Sequence, residues 1–253
     1  MPQFHSILKQ TFRGKFTLGF ISHLSALMSC ILFQQPLFAQ INQATVTEIL
    51  DGEDVYIEQE PAQVEDQADL GQFVETKESR AGLEFNNGAA GRVGINSQVI
   101  VGQCVEVQAG QILVSGPANG CVGGFSVGVQ GTLYILETNP DGSGSVKVLE
   151  GVVQINSPDE VGEPVILIEG QKINILPGIL GEIEEISAEE FALILRGPLF
   201  SGFNVPITPA GLLQSTCSRL FPVGFTCSAQ GVPTPIVPQP SIPGPSIPGG
   251  LPF

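Results

Sequence analysis

Between Gly128 and Ile155 the chain reads GVQGTLYILETNPDGSGSVKVLEGVVQI. Apolar or small residues fall on every second position at Val129, Gly131, Leu133 and Ile135, recur at Val146 and Val148, and return past Glu150-Gly151 at Val153 and Ile155. A period of two belongs to a strand with one buried face, because successive side chains leave opposite sides of an extended backbone. The intervening Asn139-Pro140-Asp141-Gly142-Ser143-Gly144 is dense in residues that accept turn dihedrals, so the two runs read as a hairpin.

The shape around Gly151 recurs. VEVQAGQILV ending at Val114, VKVLEGVVQI ending at Ile155 and VILIEGQKINI ending at Ile175 are each a strand, a small-residue-plus-Gly corner and another strand. Such pieces predict layered β-arches, with a shifted alternation after Gly170 in the third. Upstream, residues 44–50 and 55–58 suggest a hairpin around the acidic turn Asp51-Gly52-Glu53-Asp54, and residues 59–69 an exposed connection. Calcium binding by Asp51, Glu53 and Asp54 is the other reading of that turn, but the twelve-residue ligand loop is missing. Asn86-Asn87-Gly88 between alternating runs is a second turn signal. The fold class predicted is all-β, short strands stacked as a sandwich or a solenoid-like pile.

Both ends differ from this middle. Residues 1–39 read as a secretory signal peptide: Lys9, Arg13 and Lys15, an apolar run from Phe16 to Phe33, a break at Gln34-Gln35-Pro36, and Ala39 before a cut ahead of Gln40. An uncleaved membrane anchor is the alternative, weakened by His23 and several serines. Ser29-Cys30 is a loose lipoprotein-type signal, followed by the unsuited Ile31-Leu32-Phe33. After the β region of residues 40–200, Ser187-Ala188-Glu189-Glu190 has capping-box spacing and predicts one short helix that ends near Arg196-Gly197-Pro198. Residues 201–253 then comprise a Cys-bounded segment and a Pro- and Gly-rich run in which Ser-Ile-Pro-Gly recurs, predicted as a disordered tail that acts as a spacer.

Export is supported by the cysteines. Outside the leader there are four, Cys104, Cys121, Cys217 and Cys227, an even number in a chain expected where disulfides persist. Proximity favours Cys104 with Cys121 and Cys217 with Cys227, although three pairings are formally possible. No C-x-x-C spacing occurs and both histidines, His5 and His23, lie in the leader, so zinc and every His-dependent catalytic arrangement are disfavoured and no cofactor is expected. The chain holds 25 Asp plus Glu against 10 Lys plus Arg, and without the three leader cations its formal charge moves from -15 to -18. Such a surface repels phosphate backbones, which argues against nucleic-acid partners. The acids Glu182, Glu184, Glu185, Glu189 and Glu190 read as a solvated helix entrance in preference to a glycosidic acid–base pair.

The succession TKESRAGLEFNNG, RVGINSQV, VEVQAGQILVSG, VGVQGTLYIL, VKVLEGVVQI and VILIEGQKINI, over about residues 44–180, resembles the FecR-type extracytoplasmic domain as found in secreted cyanobacterial proteins. Gly131-Thr132 with Tyr134 following, Glu150-Gly151 and Glu169-Gly170-Gln171 carry that likeness, and Gln130 stands where many relatives have Arg. The resemblance implies an all-β domain and, in the founding members, a periplasmic relay between a TonB-linked receptor and a sigma factor. Only about 15 residues precede the apolar run here, too few for the core of an anti-sigma domain. The expected function is therefore a non-enzymatic binding, scaffold or sensing module, periplasmic or extracellular. It would span no membrane after cleavage and hold a protein or cell-envelope component near Gln130, Thr132 and Tyr134. A His-independent hydrolase using Asp141, Asp159 or Glu160 is the alternative, and membrane-tethered signalling is another if the leader stays attached.

Overall fold

In the computed structural model, residues 40–158 and 163–237 are described. The leader, Asp159 and Glu160, and the Ser-Ile-Pro-Gly repeats lie outside them, as do the expectations placed on those residues. The chain builds two sheets by passing repeatedly from one to the other. Strand β1 (Gln43–Leu50) is in the first sheet, and β2 (Val55–Ile57) and β3 (Glu60–Pro61) are in the second. β4 (Gln67–Asp69) returns to β1, β5 (Phe73–Thr76) pairs with β2, and β6 (Arg80–Phe85) and β7 (Ala90–Val93) form a hairpin in the first sheet. β8 (Ser97–Ile100) goes back to β5.

The 13-residue β9 (Cys104–Gly116) belongs to both sheets: its first half pairs with β8, and its second half with β7. Beyond it, β10 (Asn119–Val122) and β11 (Phe125–Val129) extend the second sheet, and β12 (Thr132–Thr138) and β13 (Gly144–Glu150) the first. β14 (Val152–Asn156) and β15 (Val165–Ile168) are again second-sheet, and β16 (Gln171–Leu176) and β17 (Ile179–Glu185) first-sheet. The first sheet thus runs β4-β1-β6-β7-β9-β12-β13-β16-β17 and the second β3-β2-β5-β8-β9-β10-β11-β14-β15. Among the described pairs β9–β10 alone is parallel.

The all-β expectation holds, and each of the three corners read from the sequence carries the chain from one sheet to the other. Gly110, Gly151 and Gly170 sit at φ +73°, +87° and +81°, a region that side chains with a Cβ rarely adopt. The hairpins at Asn86-Asn87-Gly88 and Asn139–Gly144 also form. One expectation is corrected. β1 and β2 do not pair with each other, because the Asp51–Asp54 corner is another arch, pinned where the Asp54 amide donates to Ser79 Oγ at 2.9 Å and Arg80 donates to the Asp51 carboxylate. Residues 59–69 are likewise less loose than expected, contributing β3, β4 and the buried Ala62 and Ala68.

Between the sheets lies a core that includes Val46, Val74, Phe85, Val99, Val127, Tyr134, Leu136, Val148 and Ile155. A second core covers the outer side of the first sheet, where Leu113, Leu133, Ile135 and Leu149 meet Phe191, Leu195, Leu199, Ile207 and Cys217. Strand β12 is therefore buried on both faces, which explains why LYIL is apolar without a break.

The predicted helix is α1 (Ala188–Arg196), capped by Ser187 Oγ accepting from the Glu190 amide at 3.1 Å. Half of the capping box is absent, since the Glu190 carboxylate turns to Lys172 Nζ at 2.8 Å. A second helix, α2 (Leu212–Leu220), was not anticipated: its start at Gly211 has a left-handed φ of +80° and no side-chain cap, and Ser, Thr and Cys are poor helix formers. Both disulfides pair as proximity suggested, with Cα separations of 5.6 Å for Cys104–Cys121 and 6.0 Å for Cys217–Cys227. Among the described residues no helix is long and apolar enough to cross a membrane.

The start of the presumed tail is also ordered, as β18 (Phe225–Cys227) and β19 (Pro233–Pro235) form a small ladder. Backbone bonds join Ser228 to Val232 and Ile236 to Gly224, so Pro233 and Pro235 occupy the alternate positions, which owe no N–H to the ladder. From Ile207 to Val232 this stretch contributes apolar side chains to the core on the outer side of the first sheet.

Candidate functional site

The outer sides of the two sheets differ. The first is roofed by α1, α2 and the segment between them. On the second, the stretch from β10 to β15 exposes Asn119, Ser126, Gln154, Ile166 and Ile168, with Gly128 and Asn156 partly exposed between them. Register explains the pattern: Gly128 pairs with Gln154 and Gln154 with Ile166, Ser126 pairs with Asn156, and Val152 with Ile168, while Val127, Val153, Ile155 and Leu167 point into the core.

Gly128 has no side chain, so the row it shares with Gln154 and Ile166 is hollow. The result is an open groove of about 470 Å³ lined by Asn119, Gly128, Gln130, Val152, Gln154 and Asn156, with Pro117, Val129 and Ile166 completing it. Among the described residues no acid or base lines it, in a chain whose formal charge is -15.

Its amides are only partly used. Asn119 Oδ1 accepts from the Val129 amide at 3.1 Å, and Gln154 Nε2 donates to Asn156 Oδ1 at 2.9 Å. Gln130 is exposed and its side chain bonds to nothing among the described residues. An amide offers two donors and an acceptor with two lone pairs, so the groove can present both hydrogen-bonding roles to a ligand without a charge.

Of the three residues predicted for this surface, Gln130 alone reaches it. Thr132 and Tyr134 are corrected: they are 1% and 0% exposed, inward positions of a strand covered on both sides. They brace the groove from beneath. Thr132 Oγ1 donates to the Val152 carbonyl at 2.9 Å, and the Tyr134 hydroxyl donates to the Ala118 carbonyl at 2.6 Å, between Pro117 and Asn119 on the groove wall. Burial pushes the Tyr134 phenol well above its ordinary pKa, so it is a neutral donor. Asn119, Gln154 and Asn156 are not among the residues expected at this surface. The period of two that buries Val153 and Ile155 already places Gln154 and Asn156 on the opposite face, and that was the available signal.

The described carboxylates are distributed elsewhere. Asp141 sits in an exposed turn, accepts from Ser143 N at 2.9 Å and Oγ at 2.6 Å, and is held below its ordinary pKa by those bonds. Lys172 stands between Glu190 at 2.8 Å and Glu184 at 3.6 Å, and hydrogen bonding to Glu190 raises its pKa. At the foot of α2, Arg219 clasps Glu169 through bonds of 2.9 and 2.8 Å and lies 3.9 Å from Glu150. Arg219 holds the Glu169 carboxyl low, whereas burial and then the Glu169 charge push Glu150 up. Glu150 Oε2 is buried without a hydrogen-bond partner. This trio ties α2 to the Gly151 and Gly170 corners. Among the described residues no cluster of His, Cys, Asp or Glu could hold a metal ion.

No family model and no curated protein matches the chain. Among solved structures it is similar to two crystal structures of a "putative anti-sigma factor" from Parabacteroides distasonis ATCC 8503, at 1.65 and 2.50 Å resolution. Identity is 14% in both, with TM-scores of 0.42 and 0.41; the first alignment covers 59% of this chain and 74% of the other, the second 58% and 73%.

Proposed function

We propose that this chain is an exported, non-enzymatic binding module of the cell envelope, of FecR type, which holds a protein or envelope component in the groove on the outer side of its second sheet. The observation that carries the reading is the hollow around Gly128, whose described lining is uncharged and rich in amides, in a strongly acidic chain. A ligand entering it meets Gln130 with its hydrogen-bonding capacity unspent, and meets Val152 and Ile166, which are 50% and 46% exposed and can release water on contact. Two disulfides suit a compartment where thiols are oxidised. The reading also takes residues 1–39 as a cleaved leader, in which case the native protein begins at Gln40 on N-terminal sequencing.

The test is capture from envelope extract, with crosslinking, by the purified chain and by Gln130→Arg and Gln154→Ala variants. A partner retained by the wild-type chain and lost by both variants supports the proposal. Undiminished recovery by both variants, or turnover of a glycan or peptide by the purified chain, would sink it.

A further inference from the structure

The two ends of the stacked sheets are finished differently. At one end the outermost strands are β3 and β4, of two and three residues, and β3 contains Pro61. Strands that short, one of them with a proline, template little further pairing. At the other end the first sheet finishes in β17, seven residues from Ile179 to Glu185, all exposed except the half-buried Leu180. Among the described residues β17 pairs with β16 alone, so its outer side presents backbone N–H and C=O groups that no strand takes up. Ile179 and Ile183 stand 60% and 45% exposed along it. Its bulge at residues 181–182 and its glutamates guard this edge against indiscriminate pairing, and its exposed apolar side chains leave it a template for a strand whose charge complements them.

Charge decides what that strand is. β17 carries Glu182, Glu184 and Glu185. Glu184 is engaged by Lys172 and Asn174, and Glu185 by Gln171, whereas Glu182 has no hydrogen bond or ion pair among the described residues. Two copies of β17 laid side by side would set carboxylates against carboxylates, which disfavours self-pairing. The Ser-Ile-Pro-Gly run of the chain itself is a poor candidate too, since Pro243 and Pro245 fall on one alternation and Pro248 on the other, so either side turned to the edge would lack an N–H the ladder needs.

We propose that β17 is a strand-addition site for an extended segment of a partner protein in which lysine or arginine alternates with apolar side chains. The alternation places cations over Glu182 and Glu184 on one face and apolar groups beside Ile183 on the other. This edge is in the first sheet and is independent of the groove on the second.

The test uses the purified full chain and a short peptide alternating lysine with valine. Bound peptide is expected to protect amides within residues 179–185 from hydrogen exchange. Glu182→Lys, an exposed change that breaks no contact, should weaken binding by roughly threefold to tenfold at low salt. The same peptide methylated on alternate backbone nitrogens should not bind, because strand addition requires those donors. The proposal is overturned if the peptide fails to bind, if it binds without protecting 179–185, if the methylated peptide or the Glu182→Lys chain binds equally well, or if the chain pairs with itself through β17.

Discussion

The guanidinium carbon of Arg92 lies 4.4 Å from the centroid of the Phe203 ring. Arg92 comes from β7 and is 7% exposed, donating to the carbonyls of Leu199 at 3.1 Å and Val205 at 2.8 Å. Arg80 meets the same ring at 5.4 Å and donates to the Pro198 and Ser201 carbonyls, while Glu48 accepts from the Asn204 and Val205 amides. Two cations of a cation-poor chain are thus spent in holding residues 198–205 against the first sheet.

Removing that grip should be costly. Arg92→Ala is expected to lower unfolding free energy by about 2–3 kcal/mol, since it strands carbonyl acceptors and loses the ring contact. Arg92→Lys should recover only part, because an ammonium cannot fork between two carbonyls and stack at once. Urea melts of the three proteins check the order; equal stability would refute the role.

Gly110 is where β9 leaves one sheet for the other. Its φ is +73°, and a Cβ there would sit 2.7 Å from both the Asn96 carbonyl oxygen and Ser97 Cα. Backbone atoms cannot swing aside, so Gly110→Ala should cost about 2 kcal/mol or more. A thermal melt unchanged from wild type would show that the corner is not needed in this form.

Tyr134 and Gln130 should separate stability from binding. Tyr134→Phe leaves the Ala118 carbonyl without its donor and is expected to cost about 1–2 kcal/mol. Gln130→Ala, at an exposed position, should change stability by less than about 0.5 kcal/mol while weakening partner capture. Paired melting and capture measurements would expose a reversal of these roles.

Around Arg219 two carboxyls respond oppositely to pH. The pKa of Glu169 is depressed by hydrogen bonding from Arg219, so its contribution is present above the unfolded value and is lost as pH falls through the folded one. The pKa of Glu150 is raised by burial and by Glu169, so its contribution is present below the unfolded value and is lost as pH rises through the folded one. Glu169→Gln should flatten the acid side of the stability profile, and Glu150→Gln should raise the neutral-pH midpoint by relieving a buried, unpartnered carboxylate oxygen. Denaturant midpoints measured across the carboxylate range decide both.

The Cys217–Cys227 bridge closes a short loop over the end of α2, at a sequence separation of 10. Replacing both cysteines by serine should cost about 2–3 kcal/mol and free α2 before the sheets, seen as early hydrogen exchange in residues 212–220. Simultaneous exchange of α2 and β12 would show instead that the roof and the sheets open together.

Much of the architecture could be read from spacing. Alternation at Val146, Val148, Val153 and Ile155, the Gly110, Gly151 and Gly170 corners, the Asn86-Asn87-Gly88 turn, the Ser187 cap and the two cysteine pairs are local features, decided by dihedral preference and short loop closure. The corner at Asp51–Asp54 differs from the hairpin expected there because a turn signal does not say whether the next strand pairs in its own sheet or crosses to the other. That choice rested on Arg80 and Ser79, which are distant in sequence.

By itself, then, the sequence determined that the strands have two faces and where the chain turns. Tertiary structure decided which face stays in water, because α1, α2 and the Phe203 segment bury the outer side of the first sheet through contacts distant in sequence, those of Arg92 spanning more than a hundred residues. That roof buries Leu133 and Ile135, the facing second sheet buries Thr132 and Tyr134, and the outer side of the second sheet keeps Gln130, Gln154 and Asn156 at the surface. A period of two describes alternation equally well whether one face is covered or both, and only long-range packing supplies the cover.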